Sequence, residues 1–187
     1  MNKESKWNLI LVNKEHPLPK DFQVELVTLE NGEAVDKRIY SALMKLLVDA
    51  KEAGVFMYVS WGHRSYCVQE LLVDVNIKNR IERGMTEEDA TAHVKKLVAA
   101  PGESEHQLGL AVDFQADTSR SSSAEIYEWL AENAHKYGFI LRYPQPKVEI
   151  TGYNYEPWHF RYVGIDHATL IYENEICLEE YLEQILA

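Results

Sequence analysis

The sequence of 187 residues has no basic stripe, no long apolar run and no cysteine framework. Its 30 acidic and 19 basic residues give a formal net charge of −11, which argues against a nucleic-acid surface. No run reaches the ~20 consecutive apolar residues of a membrane span. The apolar run at residues 7–12 is too short for a signal peptide, and no small-residue cleavage site follows it. We therefore expect a soluble chain with no signal peptide in the sequence as given, either as the native form or after removal of a signal or anchor. We expect no nucleic-acid partner.

The cysteine content says little about the cellular compartment. Cys67 and Cys177 are far apart and have no metal-type spacing, so a disulfide is neither required nor excluded. Apolar residues at 46% and charged residues at 26% match globular averages, which argues against wholesale disorder. At this length we expect one compact domain over residues 1–187, with residues 1–7 as a flexible start.

Apolar spacing and turn residues predict helices first and a group of short strands afterwards. Helices are predicted over residues 36–53, 65–83, 86–100, 124–137, 165–172 and 178–186, with Thr86 and Ser123 as candidate N-caps. Strands are predicted over residues 55–60, 139–142, 148–151 and 160–163, and a strand or extended arm over residues 8–12. Residues 14–21 contain two prolines and are expected to form a loop. This order favours an α+β fold with a small antiparallel sheet over a doubly wound α/β fold.

One stretch, residues 104–113, places a histidine and an aspartate beside an apolar run. An ionised carboxylate on an apolar strand costs several kcal/mol unless a positive group meets it. His106 suggests a metal, because imidazole and carboxylate are ordinary zinc ligands. Each residue alone also has an ordinary explanation, with His106 as a satisfied structural histidine and Asp113 as the partner of an arginine.

A second motif, residues 156–159, contains Glu156 and His159 on either side of a proline and a tryptophan. The proline restricts the backbone, so both side chains can reach one site from a turn or a strand start. A zinc hydrolase needs three protein ligands, an open water position and a carboxylate base beside that water. His106, Asp113 and His159 could be the ligands and Glu156 the base, or the four could be unrelated polar residues.

Together the two motifs resemble the signature of the VanY-type D-alanyl-D-alanine carboxypeptidases. That group includes L,D-carboxypeptidases of the LdcB type and, more remotely, VanX dipeptidases. The motifs in this chain are Ser104-x-His106-x-x-Gly109-x-Ala111-x-Asp113 and Glu156-Pro157-Trp158-His159. Shorter matches in the family's order are Val12-Asn13-Lys14 with Leu18-Pro19, Arg64-Ser65-Tyr66 with Gln69, Pro101-Gly102, Gly138-Phe139 with Arg142-Tyr143-Pro144, and Thr151-Gly152-Tyr153.

The resemblance implies the Hedgehog/D,D-peptidase fold and one zinc ion per chain. It implies that His106, Asp113 and His159 bind the ion and that Glu156 is the catalytic base. Arg64 would stabilise the oxyanion, or alternatively clamp the terminal carboxylate of the substrate. The candidates for substrate binding, each of which could equally be packing or support, are Gln69, Ser104, Tyr153 and Trp158.

The implied activity is removal of the C-terminal D-alanine from peptidoglycan stem peptides, with D,D or L,D specificity. The alternatives are an endopeptidase of the same metal family and a non-catalytic, zinc-stabilised module that binds the cell wall. By resemblance we expect a monomer that works outside the cytoplasm, at the wall or facing the membrane.

One segment departs from the family pattern. The family usually has Ser-Gly-Tyr-Arg where this chain has Ser60-Trp61-Gly62-His63-Arg64. Arg64 keeps its place, but a tyrosine has become His63 and Trp61 has entered. The departure concerns the substrate pocket rather than the metal ligands.

Overall fold

The computed structural model describes residues 7–186, which form the mixed α+β fold that the sequence predicts. The helices in this range are α1 (Tyr40–Glu52), α2 (Tyr66–Glu82), α3 (Glu87–Val94), α4 (Ser123–Asn133), α5 (Val148–Thr151), α6 (Ile165–Glu173) and α7 (Leu178–Leu186). The strands are β1 (Leu26–Thr28), β2 (Ala34–Asp36), β3 (Met57–Trp61), β4 (Ala111–Ala116), β5 (Phe139–Leu141) and β6 (His159–Tyr162). None of the helices between residues 7 and 186 combines the length and apolar character needed to cross a bilayer.

Two antiparallel sheets organise the chain. Strands β1 and β2 form a hairpin, and the central sheet has four strands in the order β3-β4-β6-β5. In the register of β4 with β6, Asp113 lies directly opposite His159. Adjacent positions in an antiparallel pair bring side chains close together on one face of the sheet. The pairing therefore joins the two motifs that are far apart in the sequence.

The two faces of the central sheet differ in character. Side chains alternate between faces along a strand, so Val112 and Phe114 lie on the face opposite to Asp113. Phe114 packs edge-on against Phe160 of β6, with ring centroids 5.7 Å apart. These residues belong to the main apolar core, which also contains buried leucines of α1. One face is thus covered by apolar packing, and the other carries the polar side chains of the candidate site.

Most predicted helices and strands are present, and side-chain N-caps mark the beginnings of α2, α3 and α4. The Ser65 hydroxyl accepts a hydrogen bond from the backbone of Val68 at the start of α2. Thr86 caps α3 in the same way, as predicted. The prediction of Ser123 as a cap is wrong, because Ser122 caps α4 in a reciprocal pair with Glu125.

Several predicted elements differ from the structure. Helix α1 begins at Tyr40 rather than at residue 36, because Asp36 ends β2. Helix α3 ends at Val94 rather than near residue 100, because the chain continues in successive hydrogen-bonded turns. The side-chain amide of Gln69 then donates a hydrogen bond to the carbonyl oxygen of Ala99 at 2.8 Å. Residues 148–151 form the helical turn α5, not a strand. Their β-branched side chains favour a strand, but the segment has no strand partner and ends in left-handed Gly152, with φ of 71°.

The start of the chain is only partly described. The predicted flexible start covers residues 1–7, of which residues 1–6 lie outside the described range. Trp7 is not part of such a segment, because it begins a 3₁₀ helix, Trp7–Leu9, and stacks on Tyr162 at 6.0 Å. The strand or arm predicted over residues 8–12 is this helical turn followed by chain without regular structure.

Candidate metal centre

Three elements bring the predicted ligands together. His106 lies in the 3₁₀ helix Glu105–Leu108, Asp113 lies in β4 and His159 begins β6. Ligand-type atoms of these residues all lie within 4.8 Å of one another. The Asp113 Oδ1 atom is 2.9 Å from Nδ1 of His159 and 3.4 Å from Nε2 of His106. This is the only such group of three or more that the described residues assemble.

Backbone contacts fix the orientation of His106. Its Nδ1 lies 2.7 Å from the carbonyl oxygen of Gly62, which can only accept a hydrogen bond. Nδ1 therefore carries the proton, and the lone pair on Nε2 points toward the cluster. Gly109 ends the 3₁₀ helix in a left-handed conformation, with φ of 70°, and a Cβ there would lie 2.9 Å from the backbone nitrogen of Asp36. Only glycine suits this approach.

The electrostatics of the cluster favour a positive charge. The pKa of His106 is lowered to about 4, chiefly by burial. Burial also acts to lower the pKa of His159, but the Asp113 and Glu105 carboxylates outweigh it and raise the pKa to about 9. Burial opposes ionisation of Asp113, yet the two histidines hold the pKa of its carboxyl well below the usual value. The positive charge can be supplied by a proton on His159 or by a divalent cation between the three side chains.

Glu156 lies next to the three side chains without being one of the group. Its Oε2 atom is 3.9 Å from Nδ1 of His159, and its side chain is 23% exposed. Burial is the main cause that raises the pKa of Glu156 above its usual value. A carboxylate in this position can accept a proton from a water molecule held near the cluster.

Arg64 places a positively charged side chain close to the three metal-type residues. Its backbone nitrogen donates to the carbonyl oxygen of His106 at 3.1 Å, which ties its position to the metal-type cluster. The guanidinium stacks on Trp61, with 5.3 Å from Cζ to the ring centroid. Burial lowers the pKa of Arg64, while Asp113 and Glu156 act to raise it. Its Nε atom is buried and has no hydrogen-bond partner among the described residues.

A cavity of about 220 Å³ contains every predicted site residue in its lining. Beside the metal-type cluster, Glu156 and Arg64, the lining includes the four predicted substrate-binding residues, which are Gln69, Ser104, Tyr153 and Trp158. Gln69 and Ser104 are buried, whereas Trp158 is 40% exposed and stands at the rim. The Tyr153 ring stacks on Tyr143 at 4.6 Å, and the Tyr153 hydroxyl has no partner in the described part of the chain.

Sequence reasoning did not single out several residues of this cavity. Leu72 of α2 and the segment 97–99 after α3 form one wall, and no motif marks them. Tyr143 stacks on His159 with ring centroids 5.0 Å apart, and it lies inside one of the short family matches. Glu105 lies inside the first motif, directly before His106, which is the only sign in the sequence that it belongs to the site.

Comparisons of the sequence with a protein family and with individual proteins both point to D-alanyl-D-alanine carboxypeptidases. The family described as VanY, D-alanyl-D-alanine carboxypeptidase, matches residues 32–165. A D-alanyl-D-alanine carboxypeptidase of Enterococcus faecalis is 48% identical over 179 residues, which is 96% of this chain and 67% of the relative.

Solved structures of the same group have the same fold. VanYB in complex with D-alanine-D-alanine has 48% identity and a TM-score of 0.89, covering 95% of this chain and 98% of that one. A glutamate-to-alanine mutant of VanY from the VanB-type resistance cassette, in complex with Zn(II), also has 48% identity and a TM-score of 0.89, covering 94% and 99%. The L,D-carboxypeptidase LdcB has 35% identity and a TM-score of 0.78, covering 96% and 88%. The chain therefore belongs to the VanY family of zinc-dependent D-alanyl-D-alanine carboxypeptidases.

Proposed function

We propose that this chain removes the C-terminal D-alanine from peptidoglycan stem peptides, using one zinc ion and the residues around the cavity of about 220 Å³. The observation that carries the proposal is the convergence of three metal-type side chains, one carboxylate and one arginine on a single cavity. These are the parts that a metal-dependent peptide hydrolase needs, namely ligands, a base and an electrophilic group.

The donor set fits zinc. His106 has a buried Nε2 atom that lies 3.4 Å from Oδ1 of Asp113 and has no hydrogen-bond partner among the described residues. Two imidazoles with one carboxylate are an ordinary catalytic zinc set. His106, Asp113 and His159 would hold the ion. When bound, zinc lowers the pKa of a coordinated water from 15.7 to about 7 and polarises a carbonyl group.

Glu156 supplies the proton transfers. It accepts the proton of the attacking water and passes it to the amine of the leaving residue. Its raised pKa, caused chiefly by burial, brings the carboxyl closer to the pH at which the reaction runs. Its distance of 3.9 Å from Nδ1 of His159 keeps it beside the metal-type cluster and outside the ligand set.

Arg64 has two possible tasks, which kinetics distinguish. A guanidinium can stabilise the negative charge that develops on the carbonyl oxygen, or it can hold the terminal carboxylate of the peptide. The orphaned Nε of Arg64 and its position on the cavity wall suit either task. We favour stabilisation of the carbonyl oxygen, because the backbone of Arg64 is hydrogen-bonded to that of His106, which fixes its position relative to the reacting centre.

Replacing Arg64 by alanine is expected to lower kcat by about 10²–10³-fold, the usual effect of losing one oxyanion donor. Zinc content should be unchanged, since Arg64 donates no ligand. Steady-state kinetics of D-alanine release, with Arg120→Ala as a control, test this; Arg120 is an arginine paired with Asp117, outside the cavity. A rise in KM with unchanged kcat would assign Arg64 to the terminal carboxylate instead.

The substrate proposal draws support from the size of the cavity and from the relatives. A volume of about 220 Å³ is large enough for the terminal residues of a peptide. VanYB is described in complex with D-alanine-D-alanine, and this chain is more similar to it than to LdcB, with 48% against 35% identity. We therefore infer D,D specificity.

Mass spectrometry of muropeptides, after incubation with zinc-loaded protein, tests the proposed activity. Loss of the fifth residue from a pentapeptide is the expected result. Loss of the fourth residue from a tetrapeptide would indicate L,D specificity, and cleavage inside the stem would indicate an endopeptidase. No cleavage of either peptide by protein with stoichiometric zinc would contradict the proposal and favour a wall-binding module. Since peptidoglycan is the proposed substrate, we infer action outside the cytoplasm. The expectation of a monomer rests on the family resemblance alone.

A further inference from the structure

A buried network of four charged side chains lies directly behind the candidate metal centre. Its members are Glu105, Arg142, Arg161 and Glu179, and the first three have side chains with 0% exposure. The Oε1 atom of Glu105 accepts hydrogen bonds from Nε of Arg142 at 2.8 Å and from Nη1 of Arg161 at 2.9 Å. Buried ions are costly unless each is paired and hydrogen-bonded. Here the other carboxylate oxygen of Glu105, Oε2, accepts no hydrogen bond from either arginine.

The network is anchored at both ends of the described chain. Arg142 forms two hydrogen bonds with Glu179 of α7, at 2.9 and 2.6 Å. Arg161 donates from Nη2 to the carbonyl oxygens of Asn8 and Ile10, at 3.0 and 2.9 Å. These contacts limit the movement of both guanidinium groups. Glu105 is therefore oriented by Arg142 and Arg161, whose own positions are fixed by these contacts.

The free oxygen of Glu105 faces His159. Its Oε2 lies 3.7 Å from Nε2 of His159, and both atoms are buried without a hydrogen-bond partner among residues 7–186. Leaving two such buried groups unpaired is unfavourable, because each has lost its hydrogen bonds with water. A carboxylate oxygen and an imidazole N–H are complementary groups, and a small shift of the His159 ring would bring them to the ~2.9 Å of an ordinary hydrogen bond.

The two ring nitrogens of His159 face different surroundings. Nδ1 lies 2.9 Å from Oδ1 of Asp113, on the side of the cavity, whereas Nε2 points away toward Glu105. With the proton on Nε2, Nδ1 keeps its lone pair, which it can offer to a cation that lies between Nδ1 and the Asp113 carboxylate. Metal-binding histidines commonly have such a partner, which fixes the tautomer and raises the basicity of the ligand.

We propose that Glu105 is a positioning residue, which accepts a hydrogen bond from Nε2–H of His159 and so presents Nδ1 to the zinc ion. The inference rests on the proposed assignment of His159 as a ligand. Arg142 and Arg161 hold the carboxylate of Glu105 in place. The alternative is a purely structural carboxylate that only neutralises two buried arginines.

The test is the zinc affinity of Glu105→Gln, measured by competition with a chelator. The amide turns an N–H donor toward His159 and favours the tautomer with the proton on Nδ1. We expect zinc to bind about 10–100-fold more weakly, the usual effect of losing such a partner. The matched control is Glu179→Gln, which removes a charge from the other end of the same network, where it does not face His159. It should lower the melting temperature but leave zinc affinity unchanged.

Two further measurements keep the inference testable if Glu105→Gln folds poorly. Glu105→Asp retains the charge but withdraws the carboxylate, and it should also bind zinc more weakly. In the zinc-loaded wild-type protein, histidine NMR should show the Nε2–H tautomer of His159. Wild-type affinity in both Glu105 variants, an equal loss of affinity in Glu179→Gln, or an Nδ1–H tautomer would overturn the inference. These readouts do not need turnover, so a protein that binds zinc but cleaves no peptide contradicts only the proposed function.

Discussion

Replacing Glu156 by alanine is expected to leave one zinc ion bound per chain while turnover falls by about 10²–10⁴-fold, the range for loss of a general acid–base group. The carboxylate lies 3.9 Å from Nδ1 of His159 and is outside the metal-type group, so the ligands survive the change. Without it, no other described carboxylate lining the cavity has comparable freedom, because Asp113 and Glu105 are engaged with histidines and arginines.

Elemental analysis and kinetics of D-alanine release on the same preparation measure both halves of this prediction. Glu149→Ala is a suitable control, since Glu149 is an exposed glutamate of α5 and does not line the cavity of the site. Retained turnover in Glu156→Ala would remove Glu156 as the base. Loss of zinc together with turnover would instead make it a ligand.

Replacing His159 by alanine should have a different signature, in which zinc content and turnover are lost together. His159 contacts Asp113 at 2.9 Å and belongs to the group of three whose ligand-type atoms lie within 4.8 Å. Its removal leaves only two protein ligands, fewer than the three that catalytic zinc sites use.

The zinc content of His159→Ala should be compared with that of His93→Ala, which changes an exposed histidine of α3. Far-ultraviolet circular dichroism checks that both variants are folded. An unchanged zinc stoichiometry in His159→Ala would exclude His159 from the ligand set and would also remove the basis for the role of Glu105.

The sequence predicts the chemistry of the centre better than its geometry. The motifs around His106 and His159 predict a shared site, and the α+β fold is confirmed. The pairing of Asp113 with His159 across β4 and β6 could not be predicted, because strand order and register depend on contacts distant in sequence. The same limit applies to α5, where local β-branched residues suggest a strand but none of the described strands pairs with them.

Glu105 shows why supporting residues escape sequence reasoning. Its neighbours in the chain suggest proximity to His106, but its partners Arg142 and Arg161 are 37 and 56 residues away in sequence. A glutamate in a short polar stretch is usually solvent-exposed. Only the packing of β6, α7 and the beginning of the chain around it makes it a buried, oriented carboxylate.

Anomalous diffraction from crystals of the zinc-loaded protein, recorded above and below the zinc absorption edge, tests the central claim most directly. The account predicts one anomalous difference peak per chain, bounded by Nε2 of His106, Oδ1 of Asp113 and Nδ1 of His159. A peak at other side chains, or none between these three in crystals that contain zinc, would contradict it.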